Sequence, residues 1–195
     1  MKTKMKKFSI LSVLLMCFFV HGFGQDSRNY KFALLLEMDH MMPGDGSYRE
    51  LYGVSSFLPT VRAEVKINNK NYVWGSFSFL KETGTTAGEL MEPIESSQYF
   101  IGFGGAYRIK LSQASNLDLR YGGVWISYKE KAFQEEYPGD TFGLELGIDY
   151  KARLFSKVFI YISAAYIYGT AKTEETDQRI TLGGVKTGLG LGIGF

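Results

Sequence analysis

An aspartate and a histidine adjoin at Asp39–His40, and a serine follows at Ser47. A carboxylate that orients an imidazole makes a general base, and a nearby hydroxyl could serve as its nucleophile. His40 is therefore the candidate catalytic residue. The plainer reading is a solvated histidine at the start of a loop, because these three types are common in such segments. The other histidine, His21, and the single cysteine, Cys17, lie in the first 24 residues. No pair of His or Cys ligands can be assembled after them, so a zinc-type cluster is excluded. The glycine-rich stretches are not phosphate cradles. G-x-G-x-x-G breaks at Ile193 in GLGLGIG and at Tyr107 in GFGGAY, and no G-x-x-x-x-G-K-[ST] occurs. No cofactor is expected.

The remaining chemistry-bearing residues are charges, and their meaning depends on the elements that carry them. Residues 1–24 open with four lysines in the first seven positions, continue with an apolar run from Phe8 to Val20, and end on Gly22 and Gly24. This is the layout of a secretory signal peptide, and its apolar run falls short of the ~20 residues that a spanning helix needs. Residues 25–195 then form the mature domain. Removing four lysines from the chain's 22 basic residues leaves 18 against 20 acidic ones, a net charge of −2. A slightly acidic chain without basic clusters gives no support to a nucleic-acid partner.

Residues 30–195 alternate in eight segments, the mark of strands. YKFALLLEMD sets Tyr30, Phe32, Leu34, Leu36 and Met38 against Lys31, Ala33, Leu35, Glu37 and Asp39. SFLPTVRAEVKI sets Phe57, Val61 and Val65 against Thr60, Arg62, Glu64 and Lys66. TFGLELGIDYKARL sets Phe142, Leu144, Leu146 and Ile148 against Gly143, Glu145, Gly147, Asp149, Lys151 and Arg153. The chain closes on GVKTGLGLGIGF, where large residues alternate with Lys186 and four glycines. NYVWGSFSFL and VFIYISAAYIYG, the third and seventh segments, carry apolar residues on both faces. Short connections (NNKN, SQASN, LFSK) alternate with longer ones at 40–55, 81–97, 129–140 and 170–178. No helical period of useful length appears after residue 24.

Eight antiparallel strands form either a soluble barrel, with apolar residues inside and charges outside, or a membrane barrel with that order inverted. A solvent-facing strand has little use for the eight glycines on the polar faces, Gly102, Gly104, Gly143, Gly147, Gly188, Gly190, Gly192 and Gly194. A narrow lumen crowded by long Arg and Lys side chains does. Glu37, Arg62, Glu64, Arg108, Arg120, Glu145 and Lys186 are expected there as a charge network. Glu37 and Lys186 are expected as a direct or water-bridged pair across the closing strands, because an unpaired charge in a narrow lumen is costly. Two aromatic girdles are expected. One holds Tyr30, Tyr72, Trp74, Tyr107, Tyr150 and Phe195 beside the short turns. The other holds Tyr99, Trp125, Phe142, Tyr166 and Tyr168. The four long connections hold 13 acidic residues, which either engage divalent cations and repel anionic partners or simply keep exposed loops soluble.

With this strand pattern and the terminal LGLGIGF, the chain resembles the small eight-stranded outer-membrane barrels of the OmpA/OmpX type of Gram-negative bacteria. The resemblance spans residues 29–195. It implies an all-β, eight-stranded, antiparallel up-and-down transmembrane barrel in the cell outer membrane. The implied partners are outer-membrane lipids and lipopolysaccharide. It also implies that the final strand, ending in Phe195, is an assembly signal for the barrel-assembly machinery. The expected role is structural, envelope-stabilising or surface-interacting, and not that of an open pore, because eight strands leave an interior that side chains fill. Two alternatives compete. Some barrels of this type are lipid-A-modifying enzymes, deacylases or acyltransferases, for which His40 is the candidate base. A soluble periplasmic lipid-binding barrel is the other.

Overall fold

In the computed structural model, which describes residues 30–85, 92–132, 135–172 and 179–195, eight antiparallel strands close into one barrel. The expected signal segment lies outside the described residues. The strands are β1 (Phe32–Pro43), β2 (Ser56–Lys66), β3 (Asn71–Thr85), β4 (Pro93–Lys110), β5 (Ser115–Ala132), β6 (Glu135–Arg153), β7 (Val158–Lys172) and β8 (Arg179–Gly194). Each pairs with its sequence neighbour, and β1 pairs with β8 from Ala33↔Gly194 to Pro43↔Gly184. Closure leaves the membrane-level ladder without a free edge, which is why so apolar a sheet can exist unaggregated.

The barrel is inside-out by the standard of a water-soluble one. Leu36, Met38, Val61, Phe103, Leu144, Leu146, Leu189 and Leu191 are exposed on the outside. Glu37, Arg62, Glu64, Asp118, Arg120, Asp149 and Lys151 are buried within. Period two separates these sets along each strand. The structure also settles the two ambiguous strands. In β3, Tyr72, Trp74, Ser78 and Leu80 point inward; in β7, Phe159, Tyr161, Ser163, Ala165 and Ile167 do.

Three sequence expectations are corrected. First, the connections at 81–97 and 129–140 are mostly strand. β3 pairs with β4 as far as Thr85↔Pro93, and β5 with β6 as far as Ala132↔Glu135. Gly, Pro and Glu lower strand propensity, but ladder pairing with a neighbour overrides that. β2 pairs with β3 only as far as Thr60↔Ser78, and β6 with β7 only from Leu144↔Tyr168. The outer parts of β3 to β6 therefore project as a four-stranded sheet.

Second, a seven-residue helix, α1 (Gly46–Tyr52), interrupts the first long connection. Asp45 caps it by accepting from the Tyr48 amide at 3.0 Å. It packs on the part of β3 that β2 leaves uncovered, where a Cβ at Gly84 would strike the Leu51 carbonyl. Two turns are too short to show a periodic pattern. Third, only part of the inner girdle exists. Tyr107 and Phe195 are exposed, but Tyr72 and Trp74 are buried in the lumen and Tyr30 turns inward over its mouth. The outer set, Tyr99, Trp125, Phe142, Tyr166 and Tyr168, is exposed as a girdle requires.

Candidate functional site: the filled lumen

Three layers of side chains fill the barrel. The outermost is apolar: Met41, Leu58, Leu80, Phe100, Val124, Ile126, Ile167, Ala171 and Leu182 form one cluster. This plug runs against the expectation that apolar residues face lipid, although Val124 and Ile126 continue the inward parity of Asp118 and Arg120. The innermost layer is aromatic. Tyr30 stacks on Phe159 with centroids 5.6 Å apart and tilts against Tyr72 at 6.1 Å. Two small cavities, of about 10 Å³ among Met41, Tyr48 and Leu80 and about 20 Å³ among Tyr30, Lys151 and Phe159, each have room for about one water.

Between these layers lie the charges. Arg62 donates to Glu37 Oε2 at 2.7 Å and to Asp149 Oδ2 at 2.8 Å. Arg120 donates to the same Asp149 oxygen at 2.9 Å and to Glu145 Oε1 at 2.5 Å. Nearer the turns, Arg108 forms a two-pronged pair with Asp118 at 2.7 and 2.6 Å and lies 3.8 Å from the Tyr72 ring centroid. Lys151 donates to both oxygens of Glu64 at 2.6 Å and lies 2.8 Å from Asp118 Oδ2. Partners such as Glu64 and Lys151 are 87 positions apart in sequence, so these pairs fasten opposite walls to each other.

The direct ion-pair partner of Lys186 is Asp39 rather than Glu37. Gly190 stands opposite Glu37 in the β1–β8 register, and Met41 stands opposite Lys186. Lys186 Nζ lies 3.2 Å from Asp39 Oδ2. Strand stagger, which counting from the chain end cannot supply, moved the pairing. Of the seven candidates, six (Glu37, Arg62, Glu64, Arg108, Arg120 and Glu145) join ion pairs with one another or with Asp118, Asp149 and Lys151; the seventh, Lys186, joins Asp39. Asp39, Asp118, Asp149 and Lys151 complete the layer, and their inward parity was the signal for them.

Six buried carboxylates face five buried cations among the described residues. The surplus falls at Glu37 and Asp39, where neutral hydroxyls take over. Thr60 donates to Asp39 Oδ2 at 2.6 Å, and Ser163 donates to Glu37 Oε1. Gly188 makes that cluster possible, since a Cβ there would collide with Asp39 and crowd Glu37 and Ser163. The other glycines mostly admit aromatic rings: Gly102 and Gly122 admit Trp74, Gly190 admits Tyr161, Gly192 admits Phe159 and Gly194 admits Tyr30. Among the described glycines, Gly147 alone makes room for an arginine, Arg120. The space expected for Arg and Lys is used chiefly by rings.

The candidate catalytic fragment does not assemble. Asp39 points into the lumen and is fully buried, whereas His40 points to the outer surface and meets Phe57 edge-on at 5.8 Å. Neighbouring residues on a strand face opposite ways, so the carboxylate cannot orient the imidazole. Ser47 is exposed on α1.

No family model and no curated protein sequence matches the chain. Solved structures do. Neisserial surface protein A is similar with a TM-score of 0.66 at 12% identity, over 85% of this chain and 97% of that one. OprG from Pseudomonas aeruginosa gives 0.66 at 10%, over 87% and 98%. Ail, the attachment invasion locus protein of Yersinia pestis, solved with the heparin analogue sucrose octasulfate, gives 0.57 at 13%, over 86% and 100%. The fold is that of the small outer-membrane β-barrels. At such identities the likeness carries the fold and no residue roles.

Proposed function

We propose that the protein is an integral outer-membrane barrel with a structural and surface-interaction role, closed to solute flow. The single observation that carries this reading is the pairing of a lipid-compatible exterior with a lumen filled from end to end. A water-soluble lipid carrier needs an apolar interior cavity and a charged wall; among the described residues the interior is filled by side chains and the outer wall at mid-barrel is apolar. The projecting sheet of β3 to β6 supplies the surface that a partner could meet. Its acidic residues disfavour a polyanionic partner such as the one held by Ail. Lipopolysaccharide and outer-membrane lipids are the surroundings this reading implies.

The test is two measurements on full-length protein folded into bilayers. Folded protein should migrate differently from boiled protein on a gel, and planar bilayers containing it should show no steady conductance steps. Stable ohmic steps from wild-type protein would overturn the closed reading. We also propose that Phe195 helps the barrel-assembly machinery engage β8. Its side chain is exposed at the barrel's end, while its main-chain oxygen accepts from Lys31 N at 2.8 Å. Phe195→Ser should lower the amount of heat-modifiable protein in outer membranes yet leave refolding in detergent intact. Normal membrane levels would refute the signal.

A further inference from the structure

The turn-side rim of the barrel carries Lys31, Lys66, Lys70, Lys110 and Lys157. Backbone hydrogen bonds fasten these residues at one level around the mouth. Lys66 N donates to Lys31 O at 2.8 Å, Arg108 N to Lys70 O at 2.6 Å and Gly194 N to Lys157 O at 2.8 Å. Residues 65–72, 107–117, 150–158 and 190–195 contain no Asp or Glu. The nearest acids along these strands, Glu64, Asp118 and Asp149, are buried in the lumen and already engaged there.

The opposite end has the reverse sign. Its described residues hold nine acids, among them Glu82, Glu95, Glu130 and Glu136, against six bases, Arg49, Lys81, Lys129, Lys131, Lys172 and Arg179. The basic rim is also interleaved with apolar side chains. Ile67, Leu111, Phe155 and Phe195 are each more than half exposed there. Side chains of this kind belong at the boundary of acyl chains and headgroups, where lysine stems let the ammonium groups reach the headgroups.

We propose that the turn-side rim is a collar that binds anionic phospholipid headgroups of the leaflet on that side. The collar rests on the membrane-barrel reading and adds its lipid preference. A zwitterionic headgroup brings its own ammonium, which the rim repels; phosphatidylglycerol brings only the phosphodiester. A soluble polyanion matches the charge but gives the four apolar side chains nothing to contact. The acidic opposite end repels the same lipids, so the preference is one-sided and holds the barrel in one orientation and at one depth.

The experiment uses the full chain folded into phosphatidylcholine bilayers with a trace of spin-labelled phosphatidylglycerol or phosphatidylcholine. The motionally restricted fraction of each label gives the relative affinity. Wild-type protein should prefer phosphatidylglycerol about fivefold, the effect of roughly one surface cation. Lys70→Gln/Lys110→Gln/Lys157→Gln and high salt should each remove the preference; Lys129→Gln/Lys131→Gln should keep it. Heat-modifiability of every sample reports insertion separately. Protein that does not insert fails the membrane-barrel reading itself. Protein that inserts without a preference, or with one that only the Lys129 and Lys131 changes abolish, overturns the collar alone. Lysine-dependent cosedimentation with peptidoglycan, without any lipid preference, would also overturn it.

Discussion

The lumen and the outer sheet use the same charged side chains in opposite settings. Arg62 is fully buried and holds two carboxylates on two other strands, Glu37 on β1 and Asp149 on β6. On the outer sheet, Lys131 lies 2.9 Å from Glu136, Lys129 joins the same carboxylate, and Lys81 lies 3.2 Å from Glu95, with every side chain in these pairs nearly half exposed or more. The distances are alike. The surroundings are not: water and ions screen the outer pairs, while lumen walls leave the inner ones no other partner. A short ion pair is thus informative about stability only together with its burial.

The largest break in this comparison comes from Arg62→Met. It takes the guanidinium away from Glu37, whose remaining hydrogen bonds come from Tyr161 and Ser163, and leaves Asp149 hydrogen-bonded to Arg120. Stripping one partner from a buried pair costs about 3–5 kcal/mol. Glu37→Gln in the same chain should restore part of that loss, because the stranded charge is gone. Urea unfolding in bilayers measures the cycle; strictly additive effects would show that the two do not interact.

Gly188→Val should come next. The new side chain enters the Asp39, Glu37 and Ser163 cluster, and overpacking of this kind costs about 1–3 kcal/mol. Unchanged unfolding would mean that the lumen yields there. Third, Lys131→Gln or Lys81→Gln should leave the urea midpoint within experimental scatter, since exposed pairs contribute little. A clear shift would erase the distinction between the regions.

The smallest effect concerns α1, where burial pushes the Tyr48 phenol up to about 12. A phenol raised on folding favours the docked helix fully below its ordinary value of 10, and that contribution is lost as pH rises from 10 towards 12. Ultraviolet titration should find a late tyrosinate that reverts to an ordinary value in Gly84→Val, which pushes α1 off β3. A Tyr48 that titrates normally in wild type would contradict the docked helix.

Much of the site was written in single-strand patterns. Inward parity alone marks Glu37, Arg62, Glu64, Asp118, Glu145, Asp149 and Lys151, and it also separates Asp39 from His40. The outward apolar residues follow from the same period. Parity says nothing where both faces are apolar. Trp74 and Tyr161 therefore reached the lumen unannounced, admitted by glycines on strands far away in sequence.

The local alternation of the chain determined the strand count, the two faces and the inside-out character, because side-chain direction on a strand depends on the residue's own backbone and its two neighbours. The tertiary structure alone decided that Arg62 meets Asp149, that Lys186 meets Asp39 and that α1 covers β3. Those contacts depend on the stagger accumulated over eight ladders, a quantity that exists only once the barrel has closed.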